Sequence, residues 1–274
     1  MYESGIERKI RIIPDKEEKR IMGGMLSVLD NAYGFDFKLV NEHIVEVQFV
    51  ATNLHRIPKR LKELPYLQRL YFSNNLIDNI EIVAEFPHLT HLNLDDNPRI
   101  KDYTPLQTCS TILELSLNNN KISALPSLVR LRNLRMLSLE RNVLKNLDFL
   151  QENSQLLQLR LKHNPIKTLD PLQNLAKLEV LDLENTTRDQ FPLFPELKRL
   201  KYLYLQNNQI LQVEDLSTYP NLLYLDLRKN PLRSAPSIPP NARLKELKLP
   251  ANLLKEKGLL QKGIESLKKY FSKK

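Results

Sequence analysis

An internal repeat limits the possible folds of this chain more than any other feature. The pattern Leu-x-x-Leu-x-Leu-x-x-Asn, with conservative replacements, begins ten times, at Ile44, Leu67, Leu89, Ile112, Leu134, Leu156, Leu178, Leu200, Leu222 and Leu244. The copies start 22 residues apart, or 23 after the first and third copies, and they explain why 274 residues contain 55 Leu and 24 Asn. A fixed period of this length is typical of a solenoid, in which similar units stack on one another.

Each position of the repeat has a physical role. The Leu-x-Leu alternation predicts a short strand whose leucines point inward and whose intervening residues point outward. The Asn follows the strand, where its amide can bond backbone groups that a turn leaves unpaired, so stacked copies would form a ladder of amides. Beyond the Asn, apolar residues recur every three positions, as in Leu144, Leu147 and Leu150. That spacing favours 3₁₀ turns or an extended path.

These motifs resemble the leucine-rich repeat family over about residues 44–254. The 22-residue length is similar to that of the intracellular class, which includes regulatory subunits of the type 1 protein phosphatase. The resemblance implies an α/β solenoid in the form of a right-handed arc, with a concave parallel sheet of about ten strands. It also implies a convex side of 3₁₀ and extended segments. Thr52 and Thr186 stand where the ladder Asn is expected.

The stretch before the first repeat is predicted to close one end of the solenoid. A helix is expected over about residues 15–31, with an apolar face formed by Ile21, Met25, Val28 and Leu29. Two alternating runs follow, and Asn41–Glu42 between them predicts a hairpin whose second strand begins the repeats. We assign residues 1–43 to an N-terminal cap, because a solenoid otherwise exposes its core at its ends.

The other end is predicted to carry a basic helix. Within residues 255–274 one face contains Leu260, Ile264, Leu267 and Phe271, and the opposite face is lysine. Such a helix can cap the last repeat with its lysines in water, or it can lie on an anionic membrane. We assign residues 44–254 to ten repeats and residues 255–274 to a C-terminal capping helix, and a weak contact with anionic surfaces stays open.

The net charge of +9 is concentrated in that helix. Residues 255–274 hold +5 of it, whereas residues 21–254 hold only +3. A nucleic-acid-binding protein would favour a uniformly basic groove, so the modest, mixed charge of the repeats argues against nucleic acid as the partner. Contact with a membrane is expected at most weakly, through residues 255–274.

No catalytic or cofactor-binding constellation is apparent. No Gly occurs between Phe35 and Lys257, which excludes Gly-rich phosphate loops and a nucleophile elbow there, and Cys109 is the only cysteine. Asp182 and Asp226 should lie two strands apart, roughly 9–10 Å, which is similar to a pair of catalytic carboxylates. A flat exposed sheet, however, should offer no pocket that raises a pKa. We therefore predict a protein that is not an enzyme and has no metal or cofactor.

The outward positions of the strands supply the candidate binding residues. Tyr202, Tyr204 and Tyr224 fall on neighbouring strands, and Tyr and Arg are typical of interface hot spots. The alternative is that the tyrosines only stabilise the sheet through cross-strand pairing. The predicted contact set also includes a basic strip and an acidic edge: Tyr202, Tyr204, Tyr224, Asp226, Arg228, Asp182, Arg160, Lys162, Tyr71 and Asp95.

These observations predict a scaffold that binds another protein through its concave face. The repeat class implies one alternative, a regulatory subunit of a type 1-like phosphatase. A third possibility is a peripheral binder of anionic membrane or nucleic acid acting through residues 255–274. No small-molecule substrate is expected, and a monomer is expected. The polar N-terminus, the lack of a long apolar run and the single cysteine predict a cytoplasmic location.

Overall fold

The computed structural model describes residues 5–27, 29 and 33–254. Within these residues it contains three α-helices and eleven β-strands. The chain divides into two compact units, the first ending at Ser138 and the second beginning at Leu139.

The first unit opens with two short helices, α1 (Gly5–Arg11) and α2 (Lys16–Leu26). Helix α2 begins where predicted, because the Asp15 carboxylate accepts a hydrogen bond from Glu18 N at 2.8 Å and caps the first turn. It ends at Leu26, earlier than expected, and the Ser27 hydroxyl donates to the Gly24 carbonyl at 2.8 Å. Such a local bond competes with helix continuation. Helix α1 was not predicted.

Helix α2 buries part of the apolar face that the sequence indicates. Ile21 and Met25 are buried, as predicted, and Met22 is buried with them. Val28 lies outside the described residues, and Leu29 follows the end of the helix. The Glu18 carboxylate is also buried, where it accepts a hydrogen bond from Ile44 N at 2.9 Å. The helix is thereby fastened to the first strand of the repeats.

A hairpin connects these helices to the repeats. Strands β1 (Phe35–Val40) and β2 (His43–Phe49) pair in antiparallel fashion. Asn41 and Glu42 have φ values of 49° and 69°, the two left-handed residues of a tight two-residue turn. The predicted hairpin and its turn are confirmed.

The remaining strands are parallel to their neighbours within each unit and follow in chain order. In the first unit, β2 is followed by β3 (Arg69–Tyr71), β4 (His91–Asn93), β5 (Glu114–Ser116) and β6 (Met136–Ser138). In the second unit the strands are β7 (Gln158–Arg160), β8 (Val180–Asp182), β9 (Tyr202–Tyr204), β10 (Tyr224–Asp226) and β11 (Glu246–Lys248), followed by α3 (Ala251–Leu254). The middle residue of each strand from β3 to β10 is a buried leucine. The predicted inward and outward positions are therefore confirmed.

The opposite side of each unit contains short 3₁₀ segments, as the period of three predicts. In the first unit they are Lys59–Glu63, Glu81–Glu85 and Thr104–Thr108, and in the second they are Asp148–Leu150, Asp170–Asn174 and Leu216–Thr218. Apolar residues of these segments, such as Leu106 and Leu172, are fully buried, as are the strand leucines. Each repeat thus closes around one layer of the core.

The predicted asparagine ladder is present in both units. In the second unit the buried Asn208 donates to the carbonyls of Leu183 and Leu205, both at 2.9 Å. Its Oδ1 accepts from Thr186 N at 2.9 Å and Arg188 N at 3.0 Å. One amide therefore joins two successive repeats. Where Thr186 replaces Asn, its hydroxyl donates to Leu183 O at 2.9 Å.

Candidate protein-binding surface

The predicted contact residues divide between the two units. Tyr71 and Asp95 belong to the first unit. The other eight belong to the second, on the outward positions of β7 to β10 or in the turns after them, and we call this set the second-unit face: Arg160, Lys162, Asp182, Tyr202, Tyr204, Tyr224, Asp226 and Arg228. The register places Arg160 beside Asp182, Asp182 beside Tyr204, and Tyr204 beside Asp226.

Three tyrosines form a connected aromatic surface on this face. The Tyr224 ring lies 5.0 Å from the Tyr204 ring and 6.4 Å from the Tyr202 ring, between centroids. Tyr202 is 38% exposed to solvent. Burial, together with nearby Tyr224 and Asp182, raises the pKa of Tyr204, so its hydroxyl stays protonated at neutral pH. These residues are called the tyrosine cluster below.

Asp226 is buried, contrary to the expectation that the outward positions of the sheet are exposed. Its side chain is only 1% exposed, and its Oδ2 accepts a hydrogen bond from Arg228 Nη2 at 2.6 Å. The Tyr224 hydroxyl donates to the same oxygen at 3.3 Å. Arg228 lies in the turn after β10, and its long side chain folds back over the carboxylate. Arg228, which remains half-exposed, is the part of this pair that a partner can reach.

The pKa of the Asp182 carboxyl also differs from what was expected for an open sheet. The pKa of its carboxyl is raised to about 6, chiefly by burial and also by the nearby Glu140 and Glu184, while the backbone hydrogen bond from Glu184 and the charge of Lys162 oppose the rise. Its Oδ1 accepts one hydrogen bond, from Glu184 N at 2.9 Å. The expectation that an open sheet cannot raise a pKa is therefore wrong here, because the side chains of the neighbouring strands exclude water from this carboxyl.

Of the basic residues Arg160 and Lys162 in the predicted contact set, Lys162 is already paired with a carboxylate. Lys162 Nζ forms an ion pair with Glu184 Oε2 at 2.6 Å. Gln206 Nε2 donates to the same carboxylate at 2.5 Å. Arg160, in contrast, is exposed and forms no ion pair or side-chain hydrogen bond with any residue that the structure describes. Arg160 is therefore the residue of this pair whose positive charge is available to a partner.

The two predicted contact residues of the first unit, Asp95 and Tyr71, have surroundings unlike those of the tyrosine cluster. The Asp95 carboxylate accepts hydrogen bonds from the Ser116 hydroxyl and Asn118 N, both at 2.7 Å. The predicted acidic edge is therefore part of a network that the strands form among themselves. Tyr71 is half-buried, and burial raises the pKa of its hydroxyl.

Other chemistry on the described part of the chain is limited. No group of three or more His, Cys, Asp and Glu side chains is arranged there to hold a metal ion. Burial raises the pKa of the Cys109 thiol to about 11, so the thiol is un-ionised at neutral pH and a poor nucleophile. Among the same residues, no helix has the length and apolar character needed to cross a membrane. The predicted basic helix 255–274 lies outside the described residues.

Comparisons with known sequences find the same repeat. A family model for leucine-rich repeats, covering two copies, matches residues 65–108. The human leucine-rich repeats and immunoglobulin-like domains protein 3 is 36% identical over 98 residues, which is 34% of this chain and 9% of that protein. The 187-kDa microtubule-associated protein AIR9 of Arabidopsis thaliana is 33% identical over 84 residues, covering 30% of this chain and 5% of that protein. The chain thus spans less than a tenth of either relative.

Comparisons with solved structures find the same fold. A leucine-rich repeat protein of Leptospira interrogans matches with a TM-score of 0.65 and 22% identity, over 75% of this chain and 60% of that one. Internalin C2 of Listeria monocytogenes matches with a TM-score of 0.56 and 23% identity, over 75% of this chain and 80% of that one. The ten repeats, the buried strand leucines and asparagines, and these matches together show that this chain contains leucine-rich repeats and has the leucine-rich repeat fold.

Proposed function

We propose that this chain is a non-enzymatic interaction scaffold that binds a protein partner through the second-unit face. One observation carries the proposal. Tyr202, Tyr204 and Tyr224 are in ring contact on two adjacent strands and are not buried in the core. Tyrosine is enriched at interface hot spots because a rigid ring offers a large contact area and a polar end.

The state of the cluster before binding supports this function. Because the three rings already pack against one another, a partner would immobilise little that is not already ordered. The hydroxyls of Tyr202 and Tyr204 form no hydrogen bond with any described residue, so both are available. The exposed Arg160 and the half-exposed Arg228 flank the rings and add the other side chain that hot spots favour.

The charged groups of the face also favour binding over catalysis. Two carboxyl groups of the face besides Asp182 are already engaged, Glu184 by Lys162 and Asp226 by Arg228. Acid–base catalysis needs proton donors and acceptors that reach the reacting atoms of a substrate and whose pKa values suit the proton transfer. Asp182 alone provides one such group beside an aromatic surface.

The two alternatives remain predictions from the sequence. The names of the two relatives and of the two solved structures do not mention a phosphatase subunit. The membrane or nucleic-acid alternative depends on residues 255–274, which lie outside the described residues. Co-purification with a type 1 phosphatase, and binding of the full chain to anionic vesicles, would test them separately.

Affinity purification from the native cell with mass spectrometry tests the proposed function. The bait is the full chain, and the test variant replaces Tyr202, Tyr204 and Tyr224 with alanine. Since these side chains are outside the core, we expect an unchanged circular dichroism spectrum and loss of the specifically captured protein. Tyr66→Ala, which removes a 48% exposed tyrosine just before β3, is the matched control and should retain capture. Full capture by the triple variant would contradict the proposal.

A further inference from the structure

We propose that Asp182 and the adjacent Tyr204 ring form a binding site for a basic side chain, arginine or lysine, presented by the protein partner. This inference rests on the proposed function for the existence of a partner and adds the chemistry by which that partner is recognised. It depends on a difference between two equivalent aspartates, on the charges around one of them, and on a cation already present over a neighbouring ring.

The two aspartates are Asp182 and Asp226, at the same position of the repeat and two strands apart. Two residues after Asp226 the chain provides Arg228, whose guanidinium bonds both carboxylate oxygens at 2.6 to 3.1 Å. Two residues after Asp182 it provides Glu184, a like charge. The fold can therefore supply a counter-ion at this position and does so for only one of the two carboxylates.

No described residue forms an ion pair with Asp182, and the nearby Lys162 opposes the rise of its pKa only in part. Lys162 is engaged by Glu184 at 2.6 Å, and Arg160, the register neighbour of Asp182, forms no ion pair with it. Glu140 and Glu184 make the surroundings of Asp182 more negative. A carboxylate removed from water without a counter-ion is costly to keep ionised. A cation from outside would remove that cost, as Arg228 does for Asp226.

The aromatic surface beside Asp182 already accepts a cation elsewhere. Lys248 Nζ lies 5.2 Å from the centroid of the Tyr224 ring, a cation–π arrangement. Tyr204 is in contact with Tyr224 and is the register neighbour of Asp182. A basic group between the Tyr204 ring and the Asp182 carboxylate would therefore combine an ion pair with a cation–π contact. Carboxylate and aromatic face together are complementary to a cation.

Nuclear magnetic resonance on the full chain tests this site without knowledge of the partner. The probes are N-acetyl-arginine amide and its neutral analogue N-acetyl-citrulline amide, and the signals are the labelled aspartate carboxyls and tyrosine rings. We expect the arginine probe to lower the pKa of Asp182 and to shift the Tyr204 ring signals, with no change at Asp226. Equal responses to the two probes, or no response at Asp182, would overturn the inference.

A variant that supplies the missing counter-ion gives an independent test. Glu184→Arg reproduces at Asp182 the spacing that places Arg228 beside Asp226. We expect it to lower the pKa of Asp182 and to abolish the response to the arginine probe. An undiminished probe response in a variant whose Asp182 has acquired that ion pair would count against the site. N-acetyl-aspartate amide tests the opposite chemistry, and a response at Arg160 with none at Asp182 would overturn the inference.

The captured partner separates this inference from the proposed function. We expect Asp182→Asn to weaken capture at neutral pH by at least tenfold. If the triple tyrosine variant loses the partner and Asp182→Asn keeps full affinity, the inference is wrong and the proposed function stands. If the arginine probe binds but no partner depends on the tyrosines, the cation site stands and the proposed function fails.

Discussion

Asp182 and Asp226 occupy the same position in two repeats of the second unit, and only Asp226 has a counter-ion. Arg228 covers the Asp226 carboxylate, which is 1% exposed, whereas Asp182 accepts a single backbone hydrogen bond and lies beside Glu184. The difference comes from the residue type two places later in the chain, Arg228 after Asp226 and Glu184 after Asp182. It makes the stability of this unit depend on pH in a predictable way.

Replacing Asp182 with asparagine should stabilise the protein at neutral pH. The pKa of Asp182 is about 6 in the folded chain, whereas in the unfolded chain it has the ordinary value of ~4. Between those values the folded state holds a proton that the unfolded state has lost, so stability falls as pH rises from about 4 to 6. Asp182→Asn removes this loss, which is up to ~3 kcal/mol. Urea unfolding at pH 7 should show the gain, and at pH 4 the two proteins should be alike.

Removing Arg228 should have the opposite effect. Arg228→Met leaves the buried Asp226 carboxylate without its partner, and breaking a buried pair in this way costs ~3 kcal/mol at neutral pH. Arg233→Met, in the turn after β10, is a control of the same chemistry outside the pair. Equal losses for both variants in urea unfolding would argue against a special role for the Asp226–Arg228 pair.

Truncating one ladder asparagine should be among the more damaging changes in the second unit. Asn208→Ala leaves the N–H groups of Thr186 and Arg188 without their acceptor. Each buried, unsatisfied group costs ~1–3 kcal/mol, so we expect a loss of about 3 kcal/mol in total. Asn174→Ala, at an exposed position of the same unit, should change stability by less than ~0.5 kcal/mol. Thermal and urea unfolding of both variants would measure the difference.

Two glycines of the first unit should respond in opposite directions to alanine. A Cβ at Gly34 would lie 1.5 Å from the Val50 carbonyl oxygen, so Gly34→Ala forces the backbone beside the hairpin apart. We expect a loss of at least ~3 kcal/mol. A Cβ at Gly23, inside α2, meets nothing within 4 Å. Gly23→Ala should therefore gain ~0.5–1 kcal/mol through helix propensity. Similar unfolding midpoints for the two variants would contradict this account.

Much of the fold could be predicted because the information lies within single repeats. The alternation around Leu203 or Leu225 determines which residues face outward, and that register holds across the strands of each unit. The ladder of Asn208 follows from the same period. Asn41–Glu42 identifies the hairpin, because two residues between alternating runs can only form a tight turn. Helix α1 was missed because, of its seven residues, only Ile10 is buried.

The chemistry of the second-unit face could not be predicted in the same way, because it depends on side chains from several strands. The burial of Asp226 follows from the path that the Arg228 side chain takes over it. The raised pKa of Asp182 reflects its burial in a sheet whose adjacent strands place Arg160 and Tyr204, each 22 residues away in the sequence, beside it. The alternation predicts which residues face outward but does not predict how far each side chain is covered.

Site-specific photo-crosslinking in the native cell tests the central claim most directly. Tyr202 is replaced with a photoreactive phenylalanine analogue, and Tyr66, outside the second-unit face, is replaced in the same way as the control. Irradiation followed by mass spectrometry should give a covalent adduct with one protein at position 202 and none with that protein at position 66. The same adduct at position 66, or no adduct at position 202, would contradict binding through the second-unit face.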